Sequence, residues 1–331
     1  MRRRELFGLL GGAVALVVSP RGGRTEQPER IRQIGSLLNL AADHPESPAR
    51  IAAFAQGLAE HGWTIGRNVR VDYRWGAGNS ELFRRYVTEL VAAKPDVILA
   101  AGTGSLAALH DATRDVPIVF TNVTDPVGEG FVESLNRPGG NISGFMLFEF
   151  SLSGKWLELL KQISPSISRV AVVRNSTDRA GIGQFSAIQA VAPSLGVQVS
   201  PIDVRDSGEI ERAIAALARL PNNGLVVTGS ASITGYRNLI IGLAAKHKIA
   251  AVYPNRLSVI DGGLISYGPD VLDLFRRAAG YVDRVLNGEK LAELPVQAPT
   301  KFELIINQKA ANALGLAIPE KLLASADEVI E

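Results

Sequence analysis

From Arg30 onward, short apolar runs alternate with stretches whose apolar residues recur every three to four positions. That is the pattern of strands alternating with amphipathic helices in parallel βαβ units. The first series reads as a strand over 34–38, then a helix with Ile51, Phe54, Ala55 and Leu58 on one face, ending at His61-Gly62. A strand over 69–73 and a helix striped by Leu82, Tyr86, Leu90 and Val91 follow. A buried strand over 97–101 runs through Gly102-Thr103-Gly104-Ser105 into a helix over 106–112, and a strand over 118–120 closes the series.

The second series begins after Asn141-Ile142-Ser143-Gly144. Trp156, Leu159, Leu160 and Ile163 share a helix face, and 170–173, 197–202 and 225–227 read as strands. Between them, one helix face carries Ile182, Phe185 and Gln189, and another carries Ile210, Ile214 and Leu217. The chain returns through a strand over 264–267, a helix over 271–286 and a final αβ stretch over 301–329.

The two series repeat each other at strand ends. Ile34-Gly35-Ser36-Leu37-Leu38-Asn39 parallels Val170-Ala171-Val172-Val173-Arg174-Asn175, and Leu99 to Ser105 parallels Val226 to Ser232. Two open α/β lobes with matching carboxyl-end loops are expected, with a ligand cleft between them, because open α/β sheets bind ligands outside those ends.

Composition agrees with two globular lobes. The chain has 331 residues, 46% apolar and 21% charged, which excludes wholesale disorder and a polytopic membrane protein. With no cysteine, disulfides, thiol nucleophiles, zinc ribbons and iron–sulfur ligation are excluded. The net charge of +2 is misleading, because Arg2, Arg3, Arg4, Arg21 and Arg24 crowd the start. Residues 26–331 keep 30 of the 35 basic and 32 of the 33 acidic residues, so no nucleic-acid-binding face is expected.

Those arginines belong to an address. A charged Met1–Arg4 precedes an uncharged, mostly apolar run over 6–18, the order of a secretory signal, and 1–25 is expected to be one. The run falls short of the roughly 20 residues that span a bilayer. Arg3-Arg4-Glu5-Leu6-Phe7 fits the twin-arginine pattern, which points to export.

Gly102-Thr103-Gly104-Ser105-Leu106-Ala107 formally matches a dinucleotide fingerprint. It follows the third strand rather than the first, and no acidic residue stands where a ribose would need one. The helix start suits a ligand carboxylate, and Ser105 equally suits an N-cap. Thr124 and Asp125 can face the cleft, while Asp125-Pro126 is also the order of a cap and first helical residue. Tyr267 can stack on a ligand, and Asp270 with Asp273 can contact one or cap a helix. Neither Ser105 nor Ser230 sits in G-x-S-x-G, and His44, His61, His110 and His247 show no ligand spacing, so hydrolase and metal chemistry are not expected.

Gly62-Trp63 with Gly66-Arg67-Asn68-Val69, Thr124-Asp125-Pro126-Val127 and Arg137 to Gly144 together resemble one family. Gly154 to Leu160, and Leu304-Ile305-Ile306-Asn307 with Ala313 to Leu316, complete the likeness. It is to the substrate-binding proteins of ABC importers, the group that includes tryptophan- and tyrosine-type binding proteins. The resemblance implies a type I periplasmic binding fold, two Rossmann-like lobes with parallel sheets joined by a three-crossover hinge.

Crossovers are expected near Gly144, Asn255 and Gln297, giving lobe one as 31–144 plus 256–297 and lobe two as 145–255 plus 298–331. The implied ligand contacts are Asn39, Thr103, Gly104, Ser105, Thr124 and Asp125 on one lobe. Asn175, Ser230 and Asn255 face them from the other, with Tyr267 and Asp270 near the hinge. The implied protein is a periplasmic monomer and no enzyme. It needs no cofactor, captures an amino acid or aromatic carboxylate and presents it to an ABC permease and its ATPase. Two other readings are an NAD-type oxidoreductase using the Gly102 turn and the ligand-sensing core of a regulator. The regulator reading lacks an N-terminal helix-turn-helix.

Overall fold

A computed structural model describes residues 30–177 and 179–331; the expected signal segment, 1–25, lies outside them. The first sheet has five strands, β1 (Arg32–Leu38), β2 (Val69–Trp75), β3 (Val97–Ala101), β4 (Ile118–Val123) and β5 (Ile142–Met146). Their order is β2-β1-β3-β4-β5, and every pairing is parallel. Helices α1 (Ser47–Glu60), α2 (Ser80–Ala92) and α3 (Thr103–Ala112) cross over between the first four strands. Every residue of β3 and β5 is buried, as expected for strands covered on both faces.

The second sheet comprises β6 (Arg169–Arg174), β7 (Gln198–Asp203), β8 (Asn223–Val227), β9 (Ala251–Tyr253), β10 (Ile265–Pro269), β11 (Phe302–Asn307) and β12 (Glu328–Ile330). Its order is β12-β11-β10-β9-β8-β6-β7, with the β10–β11 pairing antiparallel. Read from β7, the first five strands repeat the 2-1-3-4-5 order of the first sheet, so the repetition in sequence is a repetition of topology. The helices on this side are α4 (Ser153–Ile163), α5 (Arg179–Val191), α6 (Ser207–Ala218), α7 (Ala231–Thr234), α8 (Arg237–Lys246) and α9 (Arg256–Ile260). After β10 come α10 (Val271–Leu286), α11 (Gln308–Leu314) and α12 (Glu320–Ala324).

Each sheet is sandwiched between two apolar clusters. Phe54, Leu58, Leu274 and Phe275 cover one face of the first, and Leu90, Leu106 and Phe120 fill the other. Trp156 and Ile188 lie under one face of the second, and Ile210 and Ile240 under the opposite face. Helix α10 therefore packs on the first sheet although it follows β10 of the second, because the chain crosses back between Pro269 and Val271.

Three expectations change. The first series does not close with the strand expected over 118–120: residues 142–146 add β5, whose Ile142, Phe145 and Met146 are buried against β4, so this lobe runs past the expected bound at Gly144. Residues 256–269 do not join the first sheet, because β10 hydrogen-bonds to β9 and β11, so the crossover expected near Asn255 falls instead near Asp270. On α5, Ile182 and Gln189 face solvent, while Gln184, Phe185 and Ile188 face the core. Gln184 is fully buried because its amide exchanges two hydrogen bonds with the backbone of Gly229, which satisfies the polar group and sets the helix rotation.

Among the described residues, no helix is long and apolar enough to cross a membrane.

Candidate ligand-binding cleft

The carboxyl ends of corresponding strands face one another. In the first sheet, β1 ends at Asn39, β3 at Gly102-Thr103 and β4 runs to Thr124; in the second, β6 ends at Asn175, β8 leads to Gly229-Ser230 and β9 to Pro254-Asn255. These six loops line one cleft of about 470 Å³. The ends of β1 and β3, and of β6 and β8, flank the topological switch points, where crossovers leave in opposite directions and open a crevice.

Of the expected contacts, Asn39, Thr103, Gly104, Thr124, Asn175, Ser230 and Asn255 line the cleft together. Several also hold the loops that present them. Thr103 Oγ1 accepts from the Thr124 backbone N–H at 3.3 Å, joining the loops after β3 and β4. Asn175 Oδ1 accepts from Thr177 N–H and Oγ1, and Ser230 Oγ from Ile233 N–H. Asn255 Oδ1 accepts from Ser258 N–H and Oγ. The amide oxygens of both asparagines are thus turned to the chain that follows them, and at Asn255 this leaves the amide nitrogen as the group that can face a ligand.

The other four expected contacts are engaged elsewhere. Ser105 is fully buried and donates from Oγ to the Ala101 carbonyl at 2.8 Å. Asp125 Oδ1 accepts from Gly128 N–H, while its own N–H donates to Phe148 O. Tyr267 stacks on Phe302 at 5.7 Å and accepts the Trp156 indole N–H at its carbonyl. Asp270 caps α10 through Leu272 and Asp273 N–H, as the capping alternative required.

Asn122 and Arg50 are among the lining residues that were not expected. Asn122 sits at a register shift between β4 and β5 with φ of 58°, a bulge that turns an alternating strand residue toward the cleft. Arg50, on α1, is 9% exposed, and its Nε and Nη1 make no hydrogen bond. Arg50 shares the helix face of Phe54, Gly57 and Leu58, so a charged residue on an apolar stripe was the available signal. Phe83 and Phe148 are the aromatic rings in the wall, both largely buried. Among the described residues, no group of three or more His, Cys, Asp or Glu could hold a metal.

Beside the cleft, Arg50 Nη2 bonds Glu46, and Glu46 also receives Arg237 Nη1 at 3.3 Å. His44 Nδ1 accepts the Glu46 backbone N–H at 3.2 Å, which requires a neutral imidazole. Burial is the main cause pushing its pKa below 6.5; Glu46 opposes that, Arg237 and Arg50 add to it, and Asp43 opposes. The unfolded chain therefore takes up this proton first as pH falls. Stability supplied by neutral His44 is complete above about 6.5 and is lost as pH drops through the lowered value. Melting temperature measured from pH 8 to pH 5 is expected to fall more steeply in the native protein than in His44→Gln; parallel curves would remove His44 from the account.

The family model for ABC transporter substrate binding proteins matches residues 39–330. A tyrosine-binding protein of Clostridioides difficile is 28% identical over 322 residues, covering 94% of this chain and 91% of that protein. A Streptococcus pneumoniae ABC domain in complex with L-Trp superposes with a TM-score of 0.83 at 26% identity, covering 90% of this chain and 99% of that one. A ligand-free, open substrate-binding protein with adhesive properties from Clostridium difficile gives 0.68, also at 26% identity, covering 91% and 99%. The family role is to bind a small molecule outside the cytoplasm and serve a membrane permease. The chain belongs to the family of ABC transporter substrate-binding proteins.

Proposed function

We propose that the cleft captures an amino acid with an aromatic side chain, and that the protein releases it unchanged to its permease. The observation carrying this reading is the lining itself. Facing amide and hydroxyl groups from corresponding loops of the two sheets suit a ligand's polar end, and Phe83 and Phe148 offer an apolar wall for the rest. The L-Trp complex and the tyrosine-binding relative support the same class.

Asn39, Thr103, Gly104, Thr124, Asn175, Ser230 and Asn255 are the contacts this reading uses, with Asn122 added. Binding from both sides draws the lobes together by the ligand's preference for the closed arrangement. The protein acts as a periplasmic monomer, exported with 1–25 as its twin-arginine signal, and the permease works with an ATPase. No cofactor and no catalysis enter this scheme.

A thermal-shift screen of residues 26–331 tests it. At 100 times its dissociation constant a ligand adds about 2.7 kcal/mol, which raises the melting temperature by several degrees. L-tryptophan, L-tyrosine or L-phenylalanine is expected to give that rise, with myo-inositol giving none. A rise with nicotinamide nucleotides alone would return the Gly102 turn to the oxidoreductase reading.

A further inference from the structure

Away from the crossovers, an ion pair runs from the first lobe to the second. Glu46 stands at the start of α1, and Arg237 begins α8, 191 residues later. Their side chains are 11% and 10% exposed. The Glu46 carboxylate accepts from both Arg237 and Arg50, while Arg237 Nε and Nη2 hold Asp261 at 2.7 Å within the second lobe. Two guanidinium groups thus share one carboxylate at the edge of the cleft that Arg50 lines.

We propose that Glu46 and Arg237 form a charged latch between the lobes, set by Arg50, which fixes the closed arrangement and controls how often the cleft shuts. It rests on the two-lobe binding reading but does not depend on which ligand is bound. A buried ion pair gains little net energy over solvated charges, since desolvation offsets the attraction; its strength is specificity, because removing one partner leaves the other buried and uncompensated. Without Glu46, closure would bring Arg50 and Arg237 together with no shared anion. Arg50 Nε and Nη1 are buried and make no hydrogen bond, so Nη2 and the Glu46 carboxylate carry the polar anchoring of this guanidinium. The latch is therefore balanced, strong enough to select one closed geometry and weak enough to release it.

The chain has no cysteine, so one cysteine on each rim of the cleft can report closure without background. The measurement is the rate of disulfide cross-linking under a mild oxidant, with no ligand present, which keeps its outcome separate from the ligand screen. The native latch is expected to cross-link. Glu46→Gln and Arg237→Met are each expected to slow the rate about tenfold or more. The double variant is expected to be slower by much less than the product of the two single effects, the mark of direct coupling. Arg256→Met serves as control, because Arg256 pairs with Glu303 and Glu328 inside the second lobe, and is expected to leave the rate unchanged. Absence of cross-linking in the native background, equal rates in all variants, or equal slowing by Arg256→Met would each overturn the latch.

Discussion

Replacing Trp156 with alanine is expected to destabilise the protein by about 3–5 kcal/mol, the range for truncating a large buried aromatic residue. Trp156 is fully buried on α4 and is the largest such side chain among the described residues. Its ring meets Phe148 edge-on at 5.6 Å, so the second-lobe core and the cleft wall share one aromatic contact. Its indole N–H donates to the Tyr267 carbonyl at 2.8 Å, which ties α4 to β10 just before the chain crosses back at Asp270. Truncation leaves a cavity and an acceptor without its donor. Trp156→Phe keeps most of the volume and loses chiefly the hydrogen bond, so it is expected to cost about 1–3 kcal/mol. Urea unfolding followed by circular dichroism measures both. A loss below about 1 kcal/mol for Trp156→Ala would show that the lobe repacks around the vacated site.

This residue was legible in the sequence because Trp156, Leu159, Leu160 and Ile163 make a continuous helical stripe, and all four are buried. The paired strand ends were legible for a related reason: the same topology was written twice, with asparagine after β1 and β6 and a glycine-containing turn after β3 and β8. Sheet membership was harder. An apolar run such as 264–267 reads as a buried strand whichever sheet holds it, and its neighbour β9 has only three residues, too few to show a period.

The charged residues beside the cleft were the least legible. Glu46 and Arg50 lie one helical turn apart, but Arg237 comes from a distant stretch, and the three form one cluster only when the lobes meet. Periodicity reports which face of an element is covered, and says nothing about a partner 191 residues away. Tyr267 and Asp270 pose the opposite difficulty. Both sit at strand or helix ends, where a binding residue and a capping or packing residue share the same sequence signs; in the structure Asp270 caps α10 and Tyr267 stacks on Phe302.

The same repetition yields a sharper test, because its two halves are alike in sequence and unlike in geometry. Gly102 and Gly229 occupy corresponding turns after β3 and β8. Gly102 has φ of 88° and ψ of 155°, a region in which side-chain-bearing residues cost about 1–3 kcal/mol. A Cβ there would also lie 2.6 Å from Asn39 Nδ2 and 2.8 Å from its Cγ. Gly102→Ala is therefore expected to destabilise by about 2–5 kcal/mol, backbone strain and overpacking together. It is also expected to drive the Asn39 amide from the cleft and weaken ligand binding about tenfold or more, the loss of at least one well-placed hydrogen bond.

At Gly229 an added Cβ would meet its nearest neighbour, Pro254 Cβ, at 3.5 Å, an ordinary contact, and the two hydrogen bonds it exchanges with the Gln184 amide use only its backbone. Gly229→Ala is accordingly expected to change stability by less than about 1 kcal/mol. Unfolding measurements on the two variants, with calorimetric titration against whichever amino acid the thermal screen identifies, separate the outcomes. Equal losses at both positions would mean that the turns are equivalent in structure as well as sequence. A Gly102→Ala variant that binds normally despite its instability would remove Asn39 from the site, leaving the first lobe to hold its ligand through Thr103, Asn122 and Thr124.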